Sequence, residues 1–126
     1  MLVNTADGNS AFGYFSGNAN TTGTGNAFFG YASGGGNTTG SRNTALGSGA
    51  NAGSTGSDNT CVGASAGYAL TTGGNNTAIG SDALKTNATG SHNIAIGLNA
   101  LEDCTGSNNI AIGVDAAANV TTGTLN

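Results

Sequence analysis

Residues 76–83 read Asn-Thr-Ala-Ile-Gly-Ser-Asp-Ala, and residues 93–100 read Asn-Ile-Ala-Ile-Gly-Leu-Asn-Ala. Both begin with a five-residue core, Asn-x-small-apolar-Gly, whose side chains alternate between two faces as in a β-strand. The core occurs seven times, and its asparagines are 16 or 17 residues apart: Asn9, Asn26, Asn43, Asn59, Asn76, Asn93 and Asn109. A fixed period over so many copies indicates a repeat architecture.

A second marker keeps the same period. A Gly follows a Thr once in each copy, at Gly23, Gly40, Gly56, Gly73, Gly90, Gly106 and Gly123. Helical repeats need about 33 residues, and the 24 glycines of this chain disfavour helices. Glycine at fixed places supplies turns. Each repeat is therefore predicted to run strand, turn, short strand, turn, which is one coil of a parallel β-roll.

The predicted fold is all-β, a parallel β-roll or β-solenoid of about seven coils of 16–17 residues. We expect residues 1–126 to form a single repeat domain, with coils starting near residues 9, 26, 43, 59, 76, 93 and 109, and to be a segment of a longer fibre protein. In such a stack each side chain meets its counterpart one coil away, about 4.8 Å along the axis. The asparagines then form a structural ladder of amide–amide hydrogen bonds.

Both faces of the predicted strand are small or apolar. Ile79 and Ile96 lie on the face shared with Thr77 and Ile94, whereas Ala78 and its equivalents point the other way. A strand of this kind is buried on both faces. One face points into a thin interior that holds only Ala-, Ser- or Val-sized groups, so a neighbouring chain must cover the other. The pattern therefore predicts self-association.

Charge excludes several classes of partner. The formal net charge is −4, and the only basic residues are Arg42 and Lys85. Two cations cannot form the basic stripe that a nucleic acid requires, and an anionic membrane surface is disfavoured for the same reason. No apolar run reaches the roughly 18 residues of a membrane span, and residues 1–5 do not resemble a signal peptide. We expect neither nucleic-acid binding nor membrane insertion by this segment.

The motif resembles the head repeats of trimeric autotransporter adhesins, the YadA-like heads, and related repeats of phage-tail-fibre-like surface proteins. Asn76 to Ala83 and Asn93 to Ala100 carry the likeness, which extends over roughly residues 9–123. The resemblance implies a left-handed parallel β-roll, a side-by-side homotrimer, and attachment to a surface glycan or protein receptor. It implies an extracellular, cell-surface or virion-fibre location. The coils here are a few residues longer than the usual head coil, and no catalytic residues carry over.

Catalytic, cofactor and metal sites are not predicted. Asp82 and Asp115 occupy the same repeat position two coils apart, with Asn99 between them, and they are interpreted as a solvated face. His92 occupies a variable turn position and is expected to be exposed. Calcium-binding and phosphate-binding glycine motifs are absent from the sequence. Cys61 and Cys104 occupy different repeat positions, so a disulfide is not expected and both are interpreted as small fillers.

Two surface features suggest functions. Tyr14, Phe15, Phe28 and Tyr31 cluster in the first two coils and are candidates for a ligand contact, but a junction with a preceding domain or a cap on the core is the favoured interpretation. A column of threonines, one or two before each turn glycine, raises ice binding as an alternative function. The favoured function is a non-enzymatic head or stalk segment of a trimeric surface fibre for adhesion or recognition, with a phage tail-fibre receptor-binding segment as a further alternative.

Overall fold

The computed structural model describes residues 8–123, whose regular structure consists of seven three-residue β-strands. They are β1 (Ser10–Phe12), β2 (Ala27–Phe29), β3 (Thr44–Leu46), β4 (Thr60–Val62), β5 (Thr77–Ile79), β6 (Ile94–Ile96) and β7 (Ile110–Ile112). All pair in parallel in one sheet in chain order. The register joins equivalent repeat positions, for example Ala78 with Ala95. The all-β solenoid prediction is thereby confirmed, with about six turns between the seven strands.

Each coil contains one strand, so the predicted second short strand is wrong within residues 8–123. Coil positions are numbered here from the Asn, which is position 1, and coils 1–7 begin at Asn9 to Asn109. Positions 7 and 9 and the last residue of a coil have left-handed backbone conformations, as at Asp82 (φ 57°), Leu84 (φ 55°) and His92 (φ 61°). Left-handed residues two apart bend the chain too sharply for an extended strand.

The Asn column, position 1 of every coil, lies inside the stack and closes each coil. The Asn76 side-chain Nδ2 donates to the carbonyl of Gly90 at 3.0 Å, across its own coil. The equivalent bond occurs in all seven coils at 2.7–3.0 Å. Position 1 thus ties the start of the strand to the turn glycine 13 or 14 residues later.

The same carboxamides join successive coils. Asn76 Oδ1 accepts a hydrogen bond from the backbone N–H of Asn93 at 2.9 Å, and this link recurs between every pair of coils. Amide–amide bonds of 3.1 Å join Asn59 to Asn76, Asn76 to Asn93 and Asn93 to Asn109. The column is therefore chiefly a side-chain-to-backbone ladder, with the expected amide–amide bonds added in its C-terminal half.

Glycine at position 5 allows neighbouring coils to approach. Gly80 has φ +132°, and a Cβ there would lie 2.6 Å from the carbonyl carbon of Gly97 in the next coil. No side chain fits so close to another backbone. The strand must therefore end in glycine if the stack is to keep its spacing.

Besides the position-1 Asn, each of coils 2–6 buries one or two medium-sized or large side chains at position 3, 9 or 12. These side chains are Phe28, Asn37, Asn51, Leu70, Leu84, Asn87 and Leu101. The positions compensate for one another, because a Cβ on Gly34 would lie 2.5 Å from the Phe28 ring. The expectation that only Ala-, Ser- or Val-sized groups fit is therefore wrong.

The Asn column can be tested by replacing Asn76 with Ala. The substitution removes the clamp to Gly90 and leaves the buried N–H of Asn93 without its acceptor. Each unmet buried group costs about 1–3 kcal/mol, so we expect Asn76→Ala to lower the free energy of unfolding by roughly 3 kcal/mol in urea titrations. Asn75→Gly is the matched control, because Asn75 is exposed at φ 59°, a conformation glycine adopts freely. Equal effects of the two substitutions would refute a special role for the column.

The approach of neighbouring coils can be tested at Gly80. Gly80→Ala forces a methyl group into the backbone of coil 6 and is expected to cost more than about 3 kcal/mol of stability by overpacking and strain. Gly53→Ala is the control, since its Cβ would meet nothing closer than 3.5 Å. Thermal unfolding followed by circular dichroism compares them. A Gly80→Ala protein as stable as Gly53→Ala would contradict this packing.

Candidate functional site: the outer sheet face

Positions 2, 4 and 6 of the coils project from the sheet away from the interior and form a surface called here the outer sheet face. Position 4 carries Phe12, Phe29, Leu46, Val62, Ile79, Ile96 and Ile112. Position 2 carries Ser10, Ala27, Thr44, Thr60, Thr77, Ile94 and Ile110, and position 6 carries Tyr14, Tyr31, Ser48, Ala64, Ser81, Leu98 and Val114. Position 3, between them, is buried in coils 2–7.

The outer sheet face is strongly exposed and apolar. Phe12 is 76% exposed, Ile112 68% and Leu46 51%. Of the thirteen large hydrophobic side chains exposed in residues 8–123, eleven lie on this face; the other two are Phe15 and Tyr68. Ser or Thr fills six of the fourteen places at positions 2 and 6, whereas position 4 is apolar in all seven coils. Scattered exposed hydrophobics are normal, but an apolar row along a whole sheet marks an interaction surface. Seven strands extend over roughly 29 Å along the stack.

The outer sheet face also lacks charge. Every charged side chain in residues 8–123 belongs to another position: Arg42, Asp58, Asp82, Lys85, Glu102, Asp103 and Asp115. The stack therefore has an uncharged apolar side, and its charges lie on the turns. Sequence alternation predicted both faces of the strand but not which of them points outward.

The aromatic residues predicted to contact a ligand divide between two environments. Tyr14 and Tyr31 stack at 5.9 Å between ring centroids, and Phe15 lies 4.2 Å from Tyr14. All three are exposed at one margin of the outer sheet face. Phe28 instead fills the interior of coil 2 and is 1% exposed, so it cannot be part of a surface site. Position 3 points inward, which the sequence pattern alone did not reveal.

The threonine columns are interrupted and partly engaged in hydrogen bonds. The first threonine column is position 13, and the second is position 14, which carries Thr22, Thr39, Thr72, Thr89 and Thr122. Hydroxyls of the first column donate to carbonyls of the next coil, as from Thr21 to Thr38 at 2.9 Å and from Thr71 to Ala88 at 2.9 Å. The second column is exposed but has no member in the 16-residue coils 3 and 6, where a single Thr55 or Thr105 precedes the glycine. The flat regular array that suits ice binding is therefore incomplete.

The acidic residues at position 7 have nearby partners. Lys85 Nζ lies 3.0 Å from Asp82 and 3.7 Å from Glu102, and Asn99 donates to Asp115 at 2.8 Å. The hydrogen bond from Lys85 to Asp82 is the main cause of the raised pKa of Lys85. These exposed pairs stabilise the fold little. The Lys85–Glu102 and Asn99–Asp115 pairs link neighbouring coils, whereas Lys85 and Asp82 belong to the same coil.

The last residues of coils 2–6 form a ridge on the surface: Arg42, Asp58, Asn75, His92 and Asn108. Arg42 makes two hydrogen bonds to Asp58, at 2.6 and 2.7 Å. The hydrogen bond raises the pKa of Arg42 and lowers that of Asp58. His92 is exposed on the same ridge, and its backbone N–H donates to Gly74. Within residues 8–123, no group of three or more His, Cys, Asp or Glu side chains could hold a metal ion.

A serine ladder next to this ridge was not predicted from the sequence. The residue after the turn glycine carries a hydroxyl that accepts a backbone N–H from the preceding coil, as from Ser41 to Ser57 at 3.0 Å and from Ser91 to Ser107 at 2.9 Å. The signal is present in the sequence, because Ser or Thr follows the turn glycine in all but one of coils 1–6. It is easily overlooked, since a lone Ser beside Gly is typical of any turn.

Neither cysteine is placed for chemistry. Cys61 and Cys104 are both buried and free. Burial raises the pKa of the Cys61 thiol to about 12, whereas a reactive cysteine needs a lowered pKa and access to solvent. Cys104 Sγ lies 3.4 Å from the Asn109 amide, inside the stack.

These features define a parallel β-solenoid with one exposed apolar face. No protein-family model, curated protein or solved structure matches the chain. Residues 8–123 contain no helix capable of crossing a lipid bilayer.

The Cys61 thiol gives a pH prediction. Its pKa is higher in the folded chain than in the unfolded chain, so the unfolded state loses its proton first as the pH rises. The stability contributed by the neutral thiol is complete below about pH 9 and falls between about pH 9 and 12. Cys61→Ala, which reproduces position 3 of coils 3 and 5, should flatten this decline in urea titrations at pH 8 and pH 10.5. An identical decline in both proteins would contradict the assignment.

Proposed function

We propose that the chain is a non-enzymatic segment of a homotrimeric surface fibre that mediates adhesion or recognition. The single observation that carries the proposal is the uncharged outer sheet face, which holds eleven of the thirteen exposed large hydrophobics of residues 8–123. Fully burying one such side chain contributes about 1.5–3 kcal/mol. A second and third copy of the chain are the simplest partners to cover a face that repeats with the stack.

A thin coil supports the same conclusion. The interior of one coil buries only four or five small or medium side chains, such as Asn76, Ala78, Ala83, Leu84 and Asn87 in coil 5. Repeats of this kind depend on the interfaces that their units form with neighbours. Covering the outer sheet face would greatly increase the apolar surface that each strand buries.

A rod of three identical chains is suited to attachment. Stacked coils make a stiff rod, and three identical chains present each turn three times, so weak single contacts multiply through avidity. The turns vary between coils, whereas the Asn column does not. In this proposal, the exposed turns and the Tyr14–Tyr31 margin contact a glycan or protein receptor outside the cell or virion. A phage tail fibre would use the same design.

Ice binding stays the second candidate, on the exposed second threonine column. The gaps in coils 3 and 6 disfavour it, as do the hydroxyls that donate to neighbouring coils. Thermal hysteresis of the purified protein separates the two functions. A hysteresis that Thr72→Glu abolishes would support ice binding instead of the fibre.

Light scattering tests the assembly. We expect the wild-type chain to have three times its single-chain mass of 11.9 kDa. Ile79→Glu places a carboxylate in the centre of the outer sheet face, and burying it between copies costs several kcal/mol, so this variant should be monomeric. Thr72→Glu, on an exposed turn away from that face, is the control and should remain trimeric.

Circular dichroism establishes that Ile79→Glu keeps its β-structure, so that a mass change reflects assembly and not unfolding. A wild-type mass of one chain, or dissociation by Thr72→Glu with Ile79→Glu still assembled, would remove the basis of the proposal. Binding of the intact assembly to a glycan array and to host-surface proteins then tests adhesion separately.

A further inference from the structure

The carboxamide of Asn51 occupies an unusual place in coil 3. It is completely buried, and neither its oxygen nor its nitrogen hydrogen-bonds to any protein atom. Leu84 and Leu101 occupy the same repeat position in coils 5 and 6, with the same left-handed backbone: φ is 50° at Asn51, 55° at Leu84 and 51° at Leu101. The other coils have Gly, Ala or Leu at this position, so the carboxamide of Asn51 is its one polar side chain in residues 8–123.

In the two coils next to coil 3, repeat position 9 has no polar side chain that could bond to Asn51. Position 9 is Gly34 in coil 2 and Gly67 in coil 4. The space beside Gly34 is taken by the Phe28 ring, and that beside Gly67 by Cys61 Sγ and Leu70 Cδ1, since a Cβ on Gly67 would lie 2.6 and 2.8 Å from those atoms. Position 9 of these two coils is thus apolar, and the polar side chain of coil 2 that is buried at position 12 is Asn37, whose Oδ1 also has no hydrogen-bond partner.

One other polar side chain adjoins position 9 within the same coil. Ser54, at position 12, is fully buried, and its hydroxyl oxygen accepts the Gly56 N–H at 3.1 Å. Positions 9 and 12 adjoin each other inside a coil, as Gly67 and Leu70 show in coil 4. Ser54 has a smaller side chain than the Leu70 and Asn87 found at this position in coils 4 and 5.

We propose that coil 3 binds an internal water molecule that bridges the Asn51 carboxamide and the Ser54 hydroxyl. A carboxamide needs both a donor and an acceptor, and water is the smallest molecule that supplies both. A buried polar group without a partner is strongly disfavoured. Roughly one buried water per 27 residues is usual, so internal waters are expected in a chain of this length. The site is independent of the fibre function.

Nuclear Overhauser measurements on the wild-type protein test the site. We expect a cross-peak between water and the Asn51 side-chain amide protons, with the sign of a long-lived internal water, and a bridging water in a crystal structure at high resolution. The double variant Asn51→Leu/Ser54→Cys copies the Leu101–Cys104 pair of coil 6. Its crystal structure should lack the bridging water, and its Tm should rise by about 3–6 °C.

The reverse variant, Leu101→Asn/Cys104→Ser, moves the polar pair into coil 6 and provides the matched control. Its introduced carboxamide should gain a water cross-peak, and its Tm should fall. An Asn51 carboxamide bonded directly to Ser54 or Asn37, with no water between them, would overturn the proposal, and so would a coil 3 double variant less stable than the wild type.

Discussion

The structure depends on one repeated interaction, the carboxamide at position 1. Each Asn in the column closes its own coil by donating to a turn glycine, and it holds the next coil by accepting a backbone N–H. Strands of three residues form few ladder hydrogen bonds. Backbone hydrogen bonds along the turns also join successive coils, as from Asp82 to Ala64 and from Leu84 to Ala100, both at 2.9 Å. The buried Asn, with a donor on one end and an acceptor on the other, adds one bond across each coil and one between coils. An ionised aspartate could only accept, and leucine could do neither.

The column also explains the division of the strand into two faces. Because the Asn points inward, position 3 points inward as well, and positions 2, 4 and 6 must point outward. In coils 2–6 the interior then accepts only one or two medium-sized or large side chains besides the Asn, at positions that differ from coil to coil. The remaining large hydrophobics have no place inside and are displayed on the outer sheet face. The self-association that we propose is thus a consequence of the small cross-section of the coil.

Much of this fold could be predicted from periodicity. The spacing of Asn76, Asn93 and Asn109 indicates parallel coils in register, and the glycines mark the turns. Three features could not be predicted, for physical reasons. Alternation separates two faces but does not orient them, so the pattern alone could not assign Phe28 to the interior. The left-handed conformation at Leu84 leaves no sign in the residue type, unlike that at Asp82, because Asp adopts this conformation more readily. The compensation between Gly34 and Phe28 is a contact between repeat positions, which a column-by-column comparison overlooks.

Pulsed electron spin resonance on single-cysteine labels tests most directly whether copies of the chain meet at the outer sheet face. Cys61 and Cys104 are buried, so a label reacts with an introduced cysteine alone. We expect labels at Ala64→Cys, on the outer sheet face, to show a short distance between chains, and labels at Thr72→Cys, on the turn, to show a longer one. The absence of any coupling between chains at Ala64→Cys, or a shorter distance at Thr72→Cys, would contradict assembly through this face.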